Sequence, residues 1–423
     1  MDSGLLSLVI FSVILFCATW ILFRQKFCKI TTVLVLFYAI SSICSIIFYI
    51  VNTELPFYDY SDLNIKPLIY WIFLFAATLY PVYNFEKKEK NVIKYNIKIV
   101  NIFCVLGLLF SIIPFLELLP EVTKVFGGGG ADVADSISEI HDEDDKEETL
   151  SFIGHYMMRG VWVFYDISFI LIYPLLKEKK KYFVSIIGVI MIILTRNLLT
   201  ISTVSRTGLF TVVFHLFICI LLYWPFLSKT ESRKIRRIGT FVIAGFSLIF
   251  FIITIARASV YQEKSKGGEY TTSVFVARYA GEGFCNFANF AFQAKAPYGG
   301  YMTLYVPQKL LGMDPPFVDR DFLYNKAEPK QGIPQNVFYT YIGNFVLDLG
   351  PIWGAFTLLC LVFAFSCFFE VRNGEVRLST LFLFSILLKI LEFGTIGYYY
   401  SNKNSEYLLL FLFLYFILRS NKS

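Results

Sequence analysis

The chain has 423 residues and a formal net charge of +6, and 56% of its residues are hydrophobic while only 17% are charged. Soluble domains carry nearer a quarter charged residues, so this composition excludes an ordinary soluble globular protein. The small positive charge gives no reason to expect nucleic acid as a partner.

Apolar runs close to the ~20 residues needed to cross ~30 Å of hydrocarbon recur along the chain. They predict an all-α polytopic membrane protein with about eleven transmembrane helices. The predicted spans are 4–23, 30–51, 67–85, 99–119, 151–176, 182–199, 208–227, 238–256, 337–369, 378–397 and 405–418. The first run does not have the pattern of a secretory signal peptide, because "MDSG" is acidic and no small-residue cleavage site follows.

Lysine and arginine in the short connections predict the orientation. Basic stretches such as "RQKFCK", "KEKKK" and "KTESRKIRR" alternate with connections that are poor in these residues. Basic connections stay in the cytoplasm, so we expect an outside N-terminus and a cytoplasmic C-terminus.

The spans divide the chain into three regions. Helices 1–8 occupy 1–256, a large external loop follows at 257–336, and helices 9–11 occupy 337–423. A loop of about 80 residues is too long for a connector, and we expect it to fold as a cap over a cavity. A second external segment, 127–148, joins four glycines to an acidic run and is predicted to be flexible.

Familiar catalytic motifs are absent from the sequence. It contains no Walker loop, no G-x-S-x-G, no H-E-x-x-H and no Cys/His metal spacing. We therefore predict no cofactor and no metal site.

Two arginines stand at an outer turn of the membrane domain, in "LTRNLLTISTVSRTGLF". The predicted topology puts Arg196 at the outer end of the sixth span and Arg206 at the start of the seventh, with Arg257 at the outer end of the eighth. Arginine's planar fork suits phosphate oxygens, and a helix N-terminus favours an anion. These side chains fit a pyrophosphate site, although an isolated arginine at a span end more often reaches to lipid headgroups.

Within the large loop, Arg278 and Glu282 in "VFVARYAGEGFCNFANFAF" are four residues apart and share a helix face. As a functional pair, the arginine would hold a leaving phosphate and the glutamate would deprotonate an acceptor hydroxyl. As a structural pair, they would form an ion pair of little energetic value. The sequence favours neither.

Other polar residues extend this outer constellation. Asp348 lies within the ninth predicted span, where a carboxylate needs a partner, and one of the arginines is a candidate. Further candidate cavity residues are His155, Arg159, Asp319, Arg320 and Tyr339. Tyrosines in such positions suit sugar stacking, but most belong to the aromatic belt at the membrane interface.

Together, "SRTGL" at the start of a span, the large external loop and "PQNVFYTYIGNFVLDLG" at the return to the membrane resemble the O-antigen polymerase (Wzy-like) family. The resemblance implies a metal-independent glycosyltransferase in the bacterial inner membrane. Its substrates would be oligosaccharide repeat units linked to undecaprenyl pyrophosphate, with a chain-length regulator as a partner. The product would be O-antigen, capsule or exopolysaccharide.

By the same resemblance, Arg206 would bind the pyrophosphate with help from Arg196 and Arg278, and Asp348 would be the family's acidic position. Glu282 is assigned as catalytic base on chemical grounds. The alternatives are an O-antigen ligase and a polysaccharide flippase or transporter. The ligase family typically has a histidine in its large loop, which 257–336 lacks, and a transporter would show internal repeats, which we do not find.

Overall fold

The computed structural model describes residues 2–54, 58–127, 150–178, 182–202, 206–264, 272–318, 322–335 and 338–419. They divide into two compact units. Unit 1 comprises Met1–Glu89, Ser273–Val371 and Ile386–Phe413, and unit 2 comprises Lys90–Thr272, Arg372–Ser385 and Leu414–Ser423. The predicted flexible segment falls outside the described residues apart from Gly127, which ends a helix.

Long helices dominate the chain. They are α1 (Ser3–Arg24), α2 (Lys29–Glu54), α3 (Ile65–Lys87), α4 (Ile97–Gly127), α5 (Phe152–Glu178), α6 (Phe183–Ser202), α7 (Arg206–Tyr223), α8 (Lys229–Lys264) and α9 (Thr272–Phe290). After the short α10 (Tyr305–Leu310) and α11 (Glu328–Gln331) come α12 (Tyr341–Leu349), α13 (Pro351–Phe368), α14 (Leu378–Phe393) and α15 (Glu406–Arg419). Short 3₁₀ turns at Trp224–Phe226 and Asn402–Ser405 and a π-helix at Leu323–Ala327 complete the helical elements in these ranges.

Among the described residues, eight helices are long and apolar enough to cross a membrane: α1 to α6, the Gly208–Phe226 stretch that includes most of α7, and α13. This finding supports a multi-pass, predominantly helical membrane protein. The helices α14 and α15 have 16 and 14 residues, fewer than the ~20 that span a bilayer unaided.

The ninth predicted span is not one helix. Gly350, with φ 80° and ψ 164°, separates α12 from α13, and Pro351 begins α13. The positive φ suits glycine, and proline is favoured in the first turn of a helix. The continuous apolar run concealed this break, and the candidate membrane span within 337–369 is α13.

Three short strands also form where the sequence analysis predicted only connections. They are β1 (Val92–Lys94), β2 (Val371–Arg372) and β3 (Glu375–Arg377), in the order β1–β3–β2. Strand β1 runs parallel to β3, with Ile93 opposite Val376.

Aromatic side chains form the core of unit 1. The centroid of the Trp71 ring lies 4.6 Å from that of Phe75 and 5.1 Å from that of Phe284. The Tyr38 and Phe75 ring centroids are 4.4 Å apart. The Trp71 Nε1–H donates to Thr340 Oγ1 at 2.9 Å, and the Tyr38 hydroxyl donates to the Leu391 carbonyl at 2.6 Å. These bonds satisfy the polar ends of two buried rings and fix α3 and α2 to later segments of the chain.

In unit 2, α4, α5 and α6 pack together. Gly188 of α6 lies against the Cys104 carbonyl, and Gly107 of α4 lies against Ile192. Small residues at these positions let the two backbones approach closely, as is common between membrane helices.

Candidate functional site

Helix α9 carries the candidate site because its C-terminal half is inserted between two backbones of unit 1. Glu282 stands between Gly281 and Gly283. A Cβ at Gly281 would collide with the backbone of Cys44 and Ser45 on α2, and one at Gly283 would collide with the Thr395 carbonyl. The Gly-Glu-Gly sequence therefore buries a carboxylate at a depth that a larger flanking residue would prevent.

Three polar side chains follow one face of α9 at intervals of one turn. The Arg278 Nε–H donates to Glu282 Oε2 at 3.0 Å. On the other side, the Asn286 amide donates to Glu282 Oε1 at 3.4 Å and to the Phe338 carbonyl at 2.9 Å. Both oxygens of the glutamate are thus engaged from within the helix.

The connection between α2 and α3 completes this cluster with two tyrosines. The Arg278 Nη2 lies 3.4 Å from the Tyr58 hydroxyl, and the Tyr60 hydroxyl donates to Asn286 Oδ1 at 2.7 Å. The amide of Asn52 holds the backbone of Tyr58 through bonds of 2.8 and 3.2 Å. We call Tyr58, Tyr60, Arg278, Glu282 and Asn286 the α9 cluster.

The two members of the Arg278–Glu282 ion pair differ in solvent exposure. The Arg278 side chain is 30% exposed, whereas that of Glu282 is 1% exposed. Burial raises the pKa of Tyr58 to about 12, and the nearby Glu282 charge adds to the shift, so this hydroxyl is neutral at physiological pH. The arginine is therefore the charged group of the pair that a ligand can reach, and the glutamate fixes its orientation.

Tyr339 lies close to the α9 cluster in the segment before α12. Its hydroxyl donates to the Pro334 carbonyl at 2.9 Å, and the residue is buried. Burial raises the pKa of Tyr339 well above its usual value. Tyr339 is thus a buried residue near the cluster. Its position needs neither a place in the aromatic belt at the membrane interface nor a stacked sugar to explain it.

Asp348 is buried at the end of α12, and its partners differ from those that the sequence suggested. Its carboxylate accepts from the Met302 N–H at 3.2 Å, the Thr303 N–H at 2.7 Å and the Thr303 hydroxyl at 2.6 Å. The Asp348 carbonyl also accepts from the N–H groups of Gly299 and Gly300. These bonds tie the 299–303 turn to the end of α12. Asp348 thus has a structural role, and its partners are backbone and hydroxyl donors instead of the suggested arginine.

We expect Asp348→Ala to lower the free energy of unfolding by roughly 1–3 kcal/mol, because it leaves partly buried donors of Met302 and Thr303 without their acceptor. Thermal unfolding of the detergent-solubilised protein measures the change. Asp62→Ala is the matched control, since that exposed carboxylate accepts an exposed bond from Gln293. Equal stability of the two variants would contradict the structural role of Asp348.

Of the four arginines predicted to bind pyrophosphate, Arg196 in unit 2 is the second whose side chain the structure describes. The Arg196 guanidinium carbon lies 3.6 Å from the centroid of the Trp162 ring, and Nη1 donates to Thr200 Oγ1 at 2.8 Å. Arg196 is 6% exposed. Stacking on tryptophan and a hydroxyl acceptor both reduce the cost of a buried cation.

The remaining candidates have separate surroundings. His155 and the exposed Arg159 flank the Tyr156 ring on α5, with the Arg159 guanidinium carbon 5.7 Å from its centroid. Arg206 begins α7 and Arg257 lies in α8, and the side chains of both are outside the described part of the structure. Asp319 and Arg320 are outside the described residues.

The candidates therefore fall into two units: Arg278, Glu282, Asp348 and Tyr339 in unit 1, and Arg196, Arg206, Arg257, His155 and Arg159 in unit 2. A shared cavity between the outer turn that carries Arg196 and Arg206 and the large external loop stays a prediction. Within the ranges described, no group of three His, Cys, Asp or Glu side chains is arranged to hold a metal ion.

Sequence reasoning missed Tyr58, Tyr60 and Asn286. Asn286 carried a detectable signal, because it follows Glu282 by four residues and so shares its helix face. The tyrosines carried none, since they reach α9 from a connection more than 200 residues earlier in the chain.

Comparison with protein-family models, with curated proteins and with solved structures finds no match to this chain.

Proposed function

We propose that this chain is a lipid-linked repeat-unit polymerase. It would join oligosaccharide units carried on undecaprenyl pyrophosphate at the outer face of the bacterial inner membrane, and would do so without a metal. Eleven spans, an outside N-terminus and a cytoplasmic C-terminus are parts of this proposal. The observation that carries it is the α9 cluster, in which a reachable arginine is held by a buried glutamate in a membrane-embedded helical protein.

The reaction needs little beyond positioning and charge neutralisation. An acceptor hydroxyl oxygen attacks the anomeric carbon of the donor, and a new C–O bond forms as the bond to the pyrophosphate breaks. Undecaprenyl pyrophosphate leaves with the bonding electron pair, and the hydroxyl proton passes to a base. An oriented guanidinium stabilises the negative charge that develops on the leaving oxygen.

We assign that electrostatic role to Arg278. Glu282 accepts from the guanidinium through Oε2, and Asn286 holds its other oxygen. A carboxylate engaged on both oxygens and 1% exposed is better suited to orienting Arg278 than to taking a proton from a sugar. The role of Glu282 as general base stays a prediction.

The proposal is tested with the purified protein in liposomes. Lipid-linked repeat units are extracted from a strain that lacks the gene, mixed with the liposomes, and resolved by size. We expect a ladder of longer glycans, with one undecaprenyl pyrophosphate released for each new bond. Transfer only to a lipid core would identify a ligase, and movement of unchanged units across the bilayer would identify a transporter; either result would contradict polymerisation.

Asn286 provides a sharper test of how the cluster is oriented. We expect Asn286→Asp to reduce the rate of polymerisation by roughly 10- to 100-fold, because it removes the amide that donates to Glu282 Oε1 and places a second carboxylate there, which repels Glu282. The same liposome assay, with rates corrected for folded protein, measures the loss. Asn344→Ala is the control, since it removes an asparagine whose side chain accepts from the Tyr398 N–H rather than donating to Glu282. Full activity of the Asn286→Asp variant would contradict the assigned arrangement.

A further inference from the structure

An exposed apolar tip follows α10 in unit 1. The relative exposures are 71% for Leu310, 79% for Leu311 and 52% for Met313. Gly312 turns the chain between them with φ +76°. Large apolar side chains grouped at one turn, with a lysine at position 309, are typical of a surface that contacts something apolar.

The first attachment of this segment fixes it to the beginning of a candidate membrane span. Asp348 binds the backbone of Met302 and Thr303, and α13 begins three residues later at Pro351. The first turn of α13 exposes Ile352 and Trp353. A tryptophan exposed at the end of an apolar helix is typical of the membrane–water interface.

The second attachment is to the beginning of α15. The Asn402 N–H donates to the Met302 carbonyl at 2.9 Å, and Lys309 Nζ forms an ion pair of 3.2 Å with Glu406, the first residue of α15. The next turns of α15 expose Leu409 and Leu410. The segment is thus fixed to the end of α12, just before α13, and to the beginning of α15, and both α13 and α15 expose apolar side chains in their first turns.

We infer that Leu310, Leu311 and Met313 insert into the interfacial layer of the bilayer, where they contact lipid acyl chains and anchor the 302–313 segment. The two attachments fix its depth: Asp348 lies three residues before α13, and Glu406 begins α15, and both helices expose apolar side chains within their first turns. Lys309 keeps its ammonium at the beginning of α15, where it pairs with Glu406 and lies 5.1 Å from the centroid of the Tyr305 ring, as lysines do at interfaces. This inference does not depend on the catalytic proposal.

The test is a depth measurement in lipid nanodiscs. A fluorescent amino acid replaces Leu311, whose exposure makes the substitution tolerable, and quenching is measured with nitroxide on the lipid acyl chain and with iodide in the water. Ile352 serves as the lipid-facing reference and the exposed Glu89 as the aqueous reference. We expect the acyl-chain nitroxide to reduce fluorescence at position 311 to an extent comparable with position 352, and iodide to have less effect there than at position 89.

Two results would overturn the inference. Iodide quenching at position 311 equal to that at position 89 would put the tip in water. Protection from both quenchers would mean that protein covers the tip, for example a second copy of this chain. If the labelled protein does not fold, the same measurement at position 310 decides between these outcomes.

Discussion

Replacing Arg278 with alanine is expected to reduce the polymerisation rate by on the order of 10²–10³, a loss typical of removing one preorganised group that stabilises transition-state charge. The reason lies in the α9 cluster. Arg278 is its reachable cation, and its orientation is set by the 3.0 Å bond from Nε to Glu282. The effect should fall on turnover more than on substrate binding, because the charge on the leaving oxygen develops only as the bond breaks.

Arg278→Lys separates charge from geometry. Lysine keeps the positive charge but lacks the fork that can bind Glu282 and a phosphate together, so we expect a partial loss of roughly 10- to 100-fold. Lys94→Ala is the control, because it removes a cation from the exposed ion pair with Glu375 and should leave turnover unchanged. Wild-type turnover in Arg278→Lys would contradict bidentate recognition, and wild-type turnover in Arg278→Ala would exclude Arg278 from the reaction.

The second large effect concerns stability. We expect Gly281→Ala to lower the free energy of unfolding by about 1–3 kcal/mol, the usual cost of overpacking, and by more if α2 cannot move. The obstacle is backbone: a Cβ at this position meets the Cys44 carbonyl group and the Ser45 nitrogen. A flexible side chain could turn away, but two packed helices must separate.

The control for this variant is Gly245→Ala. Gly245 lies within α8, and nothing lies within 4 Å of a Cβ built there. Alanine in a helix interior is favoured over glycine by up to about 1 kcal/mol, so this variant should be as stable as the wild type or more stable. Thermal unfolding of both proteins in the same detergent measures the difference, and an unchanged midpoint for Gly281→Ala would contradict the close approach of α9 to α2.

Much of the helical architecture could be predicted because membrane helices satisfy their backbone hydrogen bonds within the segment. The apolar runs at 4–23 and 67–85 correspond to α1 and α3 within a few residues. The break at Gly350 was missed because hydropathy does not register a change of φ. Its signal was local: the Gly-Pro pair at 350–351 marks a helix end.

The three strands were likewise not predicted from the sequence. The "RNGE" stretch has the Asn-Gly pair of a two-residue hairpin, and the structure gives both residues positive φ, 52° for Asn373 and 75° for Gly374. That hairpin could have been predicted. The parallel pairing of β3 with β1 could not, because it joins residues more than 280 positions apart.

The candidate site was predictable only where it is local. The spacing of Arg278 and Glu282 put both residues on one helix face, and the structure contains that pair. Tyr58 and Tyr60 reach the pair through tertiary packing, which single-sequence patterns do not encode. Asp348 was recognised as needing a partner, but backbone N–H groups can satisfy a carboxylate as well as an arginine can, and sequence does not distinguish them.

The most direct test of the account is the size profile and membrane sidedness of lipid-linked glycans in cells that lack this protein. We predict single repeat units stranded on the outer leaflet, and restoration of long chains by the wild-type gene but not by Arg278→Ala. Single units retained on the inner leaflet, or long polymer still attached to undecaprenyl pyrophosphate, would contradict it.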